Sequence, residues 1–211
     1  MEMIGAWMTI KRGQEWGLPA QPGGADQFAA NDMELRAIVE ANCSDQTPIP
    51  VVGLTGGDLW RALGAPAGGR RRLQSKEARE VSIDVIDVCL GDQNYIAVAH
   101  IFFLTSWWRG PVTAVMNSEW RGRWRVAPRA HPNDGSLDFL AGDLPIRQRF
   151  LLRERLITGD HVPNSAIRSG RIKEFSQEFS RPTRAILDGV DEGRHDSVSL
   201  KIRPDALTVI Y

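Results

Sequence analysis

Three turns of this 211-residue chain carry the side chains that could do chemistry. The first, Thr55-Gly56-Gly57-Asp58, follows the short apolar run Pro50 to Leu54 and leads into a small helix, Leu59 to Leu63, stopped by Gly64 and Pro66. A strand, a glycine turn and a helix in that order offer free backbone N–H groups and the positive end of a helix, which favour a phosphate. The same residues have a plainer use, with Gly56 and Gly57 making the turn and Asp58 capping the helix. The carboxylate of Asp58 opposes a phosphate unless a metal stands between them. The turn has neither the Lys-Ser/Thr of a P-loop nor the full glycine spacing of a dinucleotide site.

The second turn, His131 to Asp138, sets carboxylates and carbonyls close together ahead of a short strand. Oxygen donors of this kind suit a hard cation such as Mg²⁺, although Asn-Asp-Gly also forms a hairpin turn without any ligand. The third, Leu187 to Gly193, lies between two strands and allows the same hairpin reading. If Asp188 faced a cleft, it could act as general base toward a substrate hydroxyl.

Other chemistries are excluded or weakened. His100, His131, His161 and His195 have no zinc-type spacing, and no G-x-S-x-G elbow occurs. Cys43 and Cys89 are too few for a disulfide framework, which fits a reducing compartment. Lys plus Arg, 26, balances Asp plus Glu, 26, so no global field draws the chain to nucleic acid or an anionic membrane, and any anion binding is local. The N-terminus lacks the order of a signal peptide, and the longest apolar run, Tyr95 to Leu104, contains His100 and is too short to span a membrane. A cytoplasmic protein without a transmembrane segment is expected.

These turns need elements to hold them. The sequence predicts a first strand around Trp7 to Lys11, a loop over Gly17 to Gly24, and a helix from Asn31 to about Asn42, opened by the capping-box spacing of Asn31 and Glu34. The first 66 residues thus read as α/β. Ala67-Gly68-Gly69-Arg70-Arg71-Arg72 reads as a solvated boundary loop, dividing a region 1–69 from a region 70–211. Beyond it, strands are expected at 81–88, 95–104, 112–117, 120–126, 137–140, 171–179, 184–187, 198–203 and 207–211. A helix over Pro145 to Ile157, capped by Asp143, interrupts them. In 120–126 and 198–203 apolar residues alternate with charged or polar ones, so one face of each is wet. Trp107, Trp108, Trp120 and Trp124 read first as core, with an apolar cleft lined by them as the alternative. The fold class is α+β: a short α/β region followed by a mainly antiparallel β body.

In order along the chain, these motifs resemble the diacylglycerol kinase, sphingosine kinase and bacterial lipid kinase superfamily. Gly53-Leu54-Thr55-Gly56-Gly57-Asp58 and Ala62-Leu63-Gly64-Ala65-Pro66 are similar to its glycine-threonine-glycine-asparagine-aspartate and alanine-leucine-glycine-isoleucine-proline segments. Asn117, the arginine-rich Arg121 to Arg125, Ala127-Pro128-Arg129-Ala130 and Asp134-Gly135-Ser136-Leu137-Asp138 follow its central run. Leu187-Asp188-Gly189 and Pro204-Asp205-Ala206-Leu207 resemble its closing turn and strand. The resemblance covers residues 50–211 and implies a β-sandwich of the lipid-kinase type, with transfer of phosphate from ATP to a lipid hydroxyl. It implies Asp188 as general base, Asp134 with the Ser136 carbonyl as a structural Mg²⁺ site, and Gly56, Gly57 and Asp58 as part of the nucleotide loop.

The departures are specific. The family's glycine-glycine-aspartate-glycine-threonine signature should lie before residue 50, where the nearest string is Gly23-Gly24-Ala25-Asp26, and the upstream region is shorter than the family's. Val190 follows Asp188-Gly189 where the family has glutamate. Phosphoryl transfer depends on positioning and charge neutralisation, so loss of the nucleotide cradle removes most of the rate. The first reading is therefore a lipid-kinase-fold protein with a degraded ATP site that binds a lipid or phosphorylated small molecule without turnover. A divergent lipid kinase and a structural subunit pairing its sheet edges in a homodimer are the alternatives.

Overall fold

The computed structural model describes residues 17–44 and 48–211. The strand expected at Trp7 to Lys11 lies outside them. Along the chain come β1 (Leu18–Pro19), β2 (Gln27–Ala29), α1 (Asp32–Ser44), β3 (Val52–Leu54), α2 (Asp58–Ala62), α3 (Gly69–Leu73), β4 (Arg79–Leu90), β5 (Gln93–Ala97), β6 (His100–Leu104), β7 (Val112–Met116), β8 (Trp120–Arg121), β9 (Trp124–Arg125), β10 (Leu137–Gly142), α4 (Ile146–Thr158), β11 (Ile167–Ile172), β12 (Glu174–Leu187) and β13 (Val190–Ile210).

Eleven strands form one sheet, in the order β1-β4-β13-β12-β6-β7-β10-β11, with β3 on β13, β2 on β3 and β5 on β4. All pairings are antiparallel except β2–β3 and β3–β13, which are parallel. The sheet folds back on itself. Even-numbered residues of β4 (Ile86, Val88, Leu90) and of β13 (Val198, Leu200, Ile202) share a core with Ile101 and Phe103 of β6, Val115 of β7 and Leu137 of β10. The odd-numbered Val81, Ile83 and Val85 face the other way, under Leu35 and Val39 of α1 and Leu54 of β3. The apolar face of β4 thus switches between Val85 and Ile86, so its first half packs into one core and its second half into the other. The α+β class and the lipid-kinase type of β-sandwich are as the sequence predicts.

The capping box forms: Asn31 Oδ1 accepts the Glu34 N–H at 2.9 Å, and Glu34 accepts from the Ala30 N–H at 2.8 Å. Val198, Leu200 and Ile202 are buried while Ser199 and Lys201 are exposed, matching the expected alternation.

Several expected boundaries are corrected. Leu18–Pro19 pairs with β4 inside the stretch read as loop. Gly69–Leu73 is a helix, because Leu73 is buried against Ala20, Ala78 and Ile210 and Arg70 lies over Phe28. Residues 120–126 are a hairpin turning at Gly122 (φ +55°), so the predicted one-sided alternation does not occur. The run 95–104 breaks at Val98 and Ala99, and 171–179 breaks between β11 and β12. Conversely, 198–203 and 207–211 belong to one strand, β13, with a bulge between Arg203 and Leu207. Pro145, not Asp143, stands at the N-cap of α4; Asp143 pairs with Arg149 at 3.2 Å.

Candidate functional site

Two strand–turn–helix units lie side by side, β2–α1 and β3–α2. Their strands run parallel, with Ala29 opposite Leu54, and the Thr55 N–H donates to the Ala29 carbonyl at 3.0 Å. The turns touch so closely that the glycines are dictated. A Cβ on Gly56 would lie 2.3 Å from the Ala30 carbonyl oxygen, and one on Gly57 (φ +104°) 2.7 Å from Asp32 Oδ1.

Asp32 fills the place a phosphate would take. Its Oδ2 accepts the Asp58 N–H at 2.6 Å and its Oδ1 the Leu59 N–H at 3.0 Å, so the amides at the start of α2 are satisfied by the chain's own carboxylate. Burial and then the negative charge of Asp188 raise Asp32 to about 6, while these two amides pull the other way. Before residue 50, where the family's glycine-rich signature was expected, the strand–turn–helix unit that meets α2 carries Asp32 at its turn. The residues at that turn are Ala30, Asn31 and Asp32 rather than Gly23 to Asp26.

Asp58 faces the other side of the turn. Its Oδ1 accepts the Gly122 N–H at 2.6 Å, and its Oδ2 lies 3.0 Å from His100 Nε2. Burial favours its neutral form, but the His100 bond and charge, the Gly122 amide and Arg121 outweigh burial and hold Asp58 below the usual carboxylate range. His100, 3 % exposed, is raised in turn: burial disfavours its cation, and the Asp58 bond with the charges of Asp188, Asp58 and Asp32 overcomes it. Ligand atoms of Asp32, Asp58 and His100 lie within 4.8 Å of one another, so this trio has both proton-transfer and cation-binding geometry.

Asp188 closes the cluster from the β12–β13 turn, with φ +49°. It is 5 % exposed; Oδ2 accepts from Val98 N–H at 2.8 Å, and Oδ1 from Ala99 N–H at 2.8 Å and His100 N–H at 3.0 Å. Those donors are the break between β5 and β6, Val98 and Ala99, and the first residue of β6. Asn117 braces the break by donating to the Val98 and Asp84 carbonyls. Burial pushes Asp188 up, against the pull of the His100 charge and the three amides.

The structure therefore brings Gly56, Gly57, Asp58 and Asp188 together and leaves Asp134 and Ser136 on another turn. There Asp134 is ion-paired to Arg171 through Oδ2 and accepts the Ser136 N–H at 3.1 Å through Oδ1. Asp84, raised by burial to about 6, accepts from Gly135 N–H at 2.8 Å and Asp205 N–H at 3.0 Å. The Arg171 guanidinium stands on the Asp134 carboxylate, which the resemblance assigns to Mg²⁺, and balances its charge there. Asp32 and His100 are the site residues that sequence reasoning missed. Asp32 was concealed as one letter of a capping box; a histidine inside an apolar strand was the available signal for His100.

Beside Asp58, Arg121 leads into an apolar cavity of about 390 Å³ between the outer face of β6, β7 and β10 and helix α4. Phe102, Trp107, Trp108, Trp124, Leu140 and Leu156 are among its walls, so the Trp-lined cleft is present. Arg121 Nε and Trp124 Nε1 are buried in this wall without a hydrogen-bond partner, and His161 lies in the same wall, its cation disfavoured by burial.

The family of the YegS C-terminal NAD kinase beta sandwich-like domain matches residues 72–211. No curated protein matches the chain. Among solved structures, a provisionally assigned diacylglycerol kinase from Bacillus anthracis str. Sterne superposes with a TM-score of 0.68 at 14% identity, covering 88% of this chain and 78% of its own. A second structure so assigned gives 0.66 at 14%, covering 90% and 79%. A structure of a diacylglycerol kinase from the same strain gives 0.62 at 16%, covering 90% and 78%. At such identities the likeness is one of fold.

Proposed function

This chain belongs to the family of the YegS C-terminal NAD kinase beta sandwich-like domain, and on that premise we propose that it binds an amphiphilic, lipid-like molecule beside Asp58 and does not transfer phosphate to it. One observation carries the reading: the amides of Asp58 and Leu59, the natural phosphate cradle, are bonded to the Asp32 carboxylate. A triphosphate brought there meets a filled site and a negative charge. Asp188 supports the same reading, since both its oxygens are held by backbone N–H groups and its burial keeps it from a substrate hydroxyl.

The ligand's body sits in the cavity under α4, whose volume of about 390 Å³ is near the small end for ligand pockets. Its polar group reaches the buried Nε–H of Arg121 and Nε1–H of Trp124, which gain the partners they lack. A phosphorylated headgroup and a carboxylate both satisfy this donor set. No step is assigned to Mg²⁺ or ATP.

The reading is tested by thermal-shift titration of the whole chain with Mg²⁺-ATP and, separately, with single-chain and diacyl lipids. The expected result is no shift with nucleotide to millimolar concentration and a saturable shift with a lipid. Ala114→Phe, placed on the strand face that Phe102 and Leu140 present to the cavity, fills it and should abolish the lipid shift. A saturable nucleotide shift, together with ATP consumption that Asp188→Asn removes, would instead establish the divergent kinase.

A further inference from the structure

Among the described residues, seven large apolar side chains are exposed, and five of them lie together: Trp108, Ile146, Phe150, Leu151 and Ile157. All but Trp108 belong to α4, a 13-residue helix with no buried residue. Ile146, Phe150 and Ile157 fall at i, i+4 and i+11, one flank of the helix, and the Trp108 ring lies against Phe150 at 5.2 Å. Leu151, 71 % exposed, stands about 100° further round the helix from Phe150, on its solvent side. Arg149 makes helix and loop one unit by donating to the carbonyls of Leu144, Trp107 and Gly110.

The charge of this unit departs from that of the chain. Residues 107–109 and 146–158 contain five arginines (Arg109, Arg147, Arg149, Arg153, Arg155) and one acid, Glu154, in a protein of net charge zero. Arg109, Arg147, Arg153 and Arg155 are exposed. Protruding aromatic and aliphatic side chains interspersed with arginine are the composition of a helix that lies in a membrane interface. A second copy of the chain is a poorer occupant, because a two-fold contact would set arginine against arginine.

We propose that α4 and the Trp107-Trp108-Arg109 loop dock this protein on an anionic phospholipid surface, with the apolar side chains entering the headgroup boundary and the exposed arginines meeting lipid phosphates. Trp108 and Arg153 also line the cavity, so docking brings its wall to the source of an amphiphilic ligand. The docking itself does not require the cavity to be a binding site.

Flotation of the full chain with phosphatidylcholine vesicles, with and without phosphatidylglycerol, tests this. The chain should float with the anionic vesicles alone, less so as salt rises. Phe150→Ser with Leu151→Ser, and separately Arg147→Glu with Arg155→Glu, alter exposed positions and should keep the native melting temperature while weakening vesicle binding on the order of tenfold or more. Ala114→Phe should leave vesicle binding intact. Equal flotation of wild type and both surface variants, flotation with neither vesicle, or loss of flotation in Ala114→Phe alone would overturn the proposal. So would a lipid-free dimer that Phe150→Ser with Leu151→Ser converts to monomer, since that would assign the face to a second copy.

Discussion

Asp138 Oδ2 is buried without a hydrogen-bond partner, and burial raises the carboxyl from 3.8 to about 6. The folded protein therefore holds this proton more tightly than the unfolded chain does. The resulting stabilisation is full below about pH 4 and is lost as the pH rises past about 6. Asp138→Asn, which keeps the shape and removes the charge, should raise the melting temperature at pH 8 by roughly 2–8 °C, corresponding to about 1–3 kcal/mol. At pH 4 or below it should change little; a gain that is the same at both pH values would refute the assignment. For Asp188 the opposite sign is expected. Removing its carboxylate in Asp188→Ala strands the amides of Val98, Ala99 and His100, at a cost of several kcal/mol, about 1–3 for each buried donor left unpaired. Chemical denaturation measures this, and a variant as stable as wild type would return Asp188 to the role of an accessible general base. That Asp188 matters was legible from the resemblance. That it faces its own backbone was not, because its three donors lie about ninety residues earlier in the chain.

The packed pair of strand–turn–helix units is tested by its glycines. Gly56→Ala drives a methyl group into the Ala30 carbonyl, a backbone atom that cannot rotate away, and should cost more than about 2 kcal/mol. Gly64→Ala is the control: nothing lies within 4 Å of its Cβ, so only the left-handed backbone (φ +96°) opposes it, at about 1–2 kcal/mol. If the two substitutions cost the same in urea unfolding, the close approach of the turns is not what selects glycine at position 56. The local signals for these elements, a capping box for α1 and a β-branched run into glycines for β3, were readable because both depend on neighbours in sequence. The 120–126 segment misled for the same reason: alternating Trp and Arg satisfies a strand pattern, but Arg61 lies over the Trp120 ring at 3.8 Å and bonds the Gly122 carbonyl, contacts that need a hairpin.

At the scale of the molecule, β3 inserts beside the end of β13, with Val52 opposite Val209, and α1 covers the odd face of β4. A fragment of residues 70–211 would expose Val81, Ile83, Val85, Leu207 and Val209 at once. It should therefore aggregate or lose its sharp amide proton spectrum. A soluble fragment with native dispersion would show that the sandwich is complete without the first 69 residues. No helix among the described residues is long and apolar enough to cross a membrane; the proposed attachment is by a surface.

The sequence by itself determined the α+β class, the strand-rich body, the three polar turns in their order, and through them the likeness to the lipid-kinase type of fold. These rest on periodicity, turn chemistry and motif order, which are properties of the chain as a line. Tertiary structure decided what the turns do. Only folding brings Asp32 onto the amides of α2, His100 onto Asp58, Arg171 onto Asp134 and the β5–β6 break onto Asp188, since each is a pairing of charge or hydrogen-bonding capacity between residues distant along the chain.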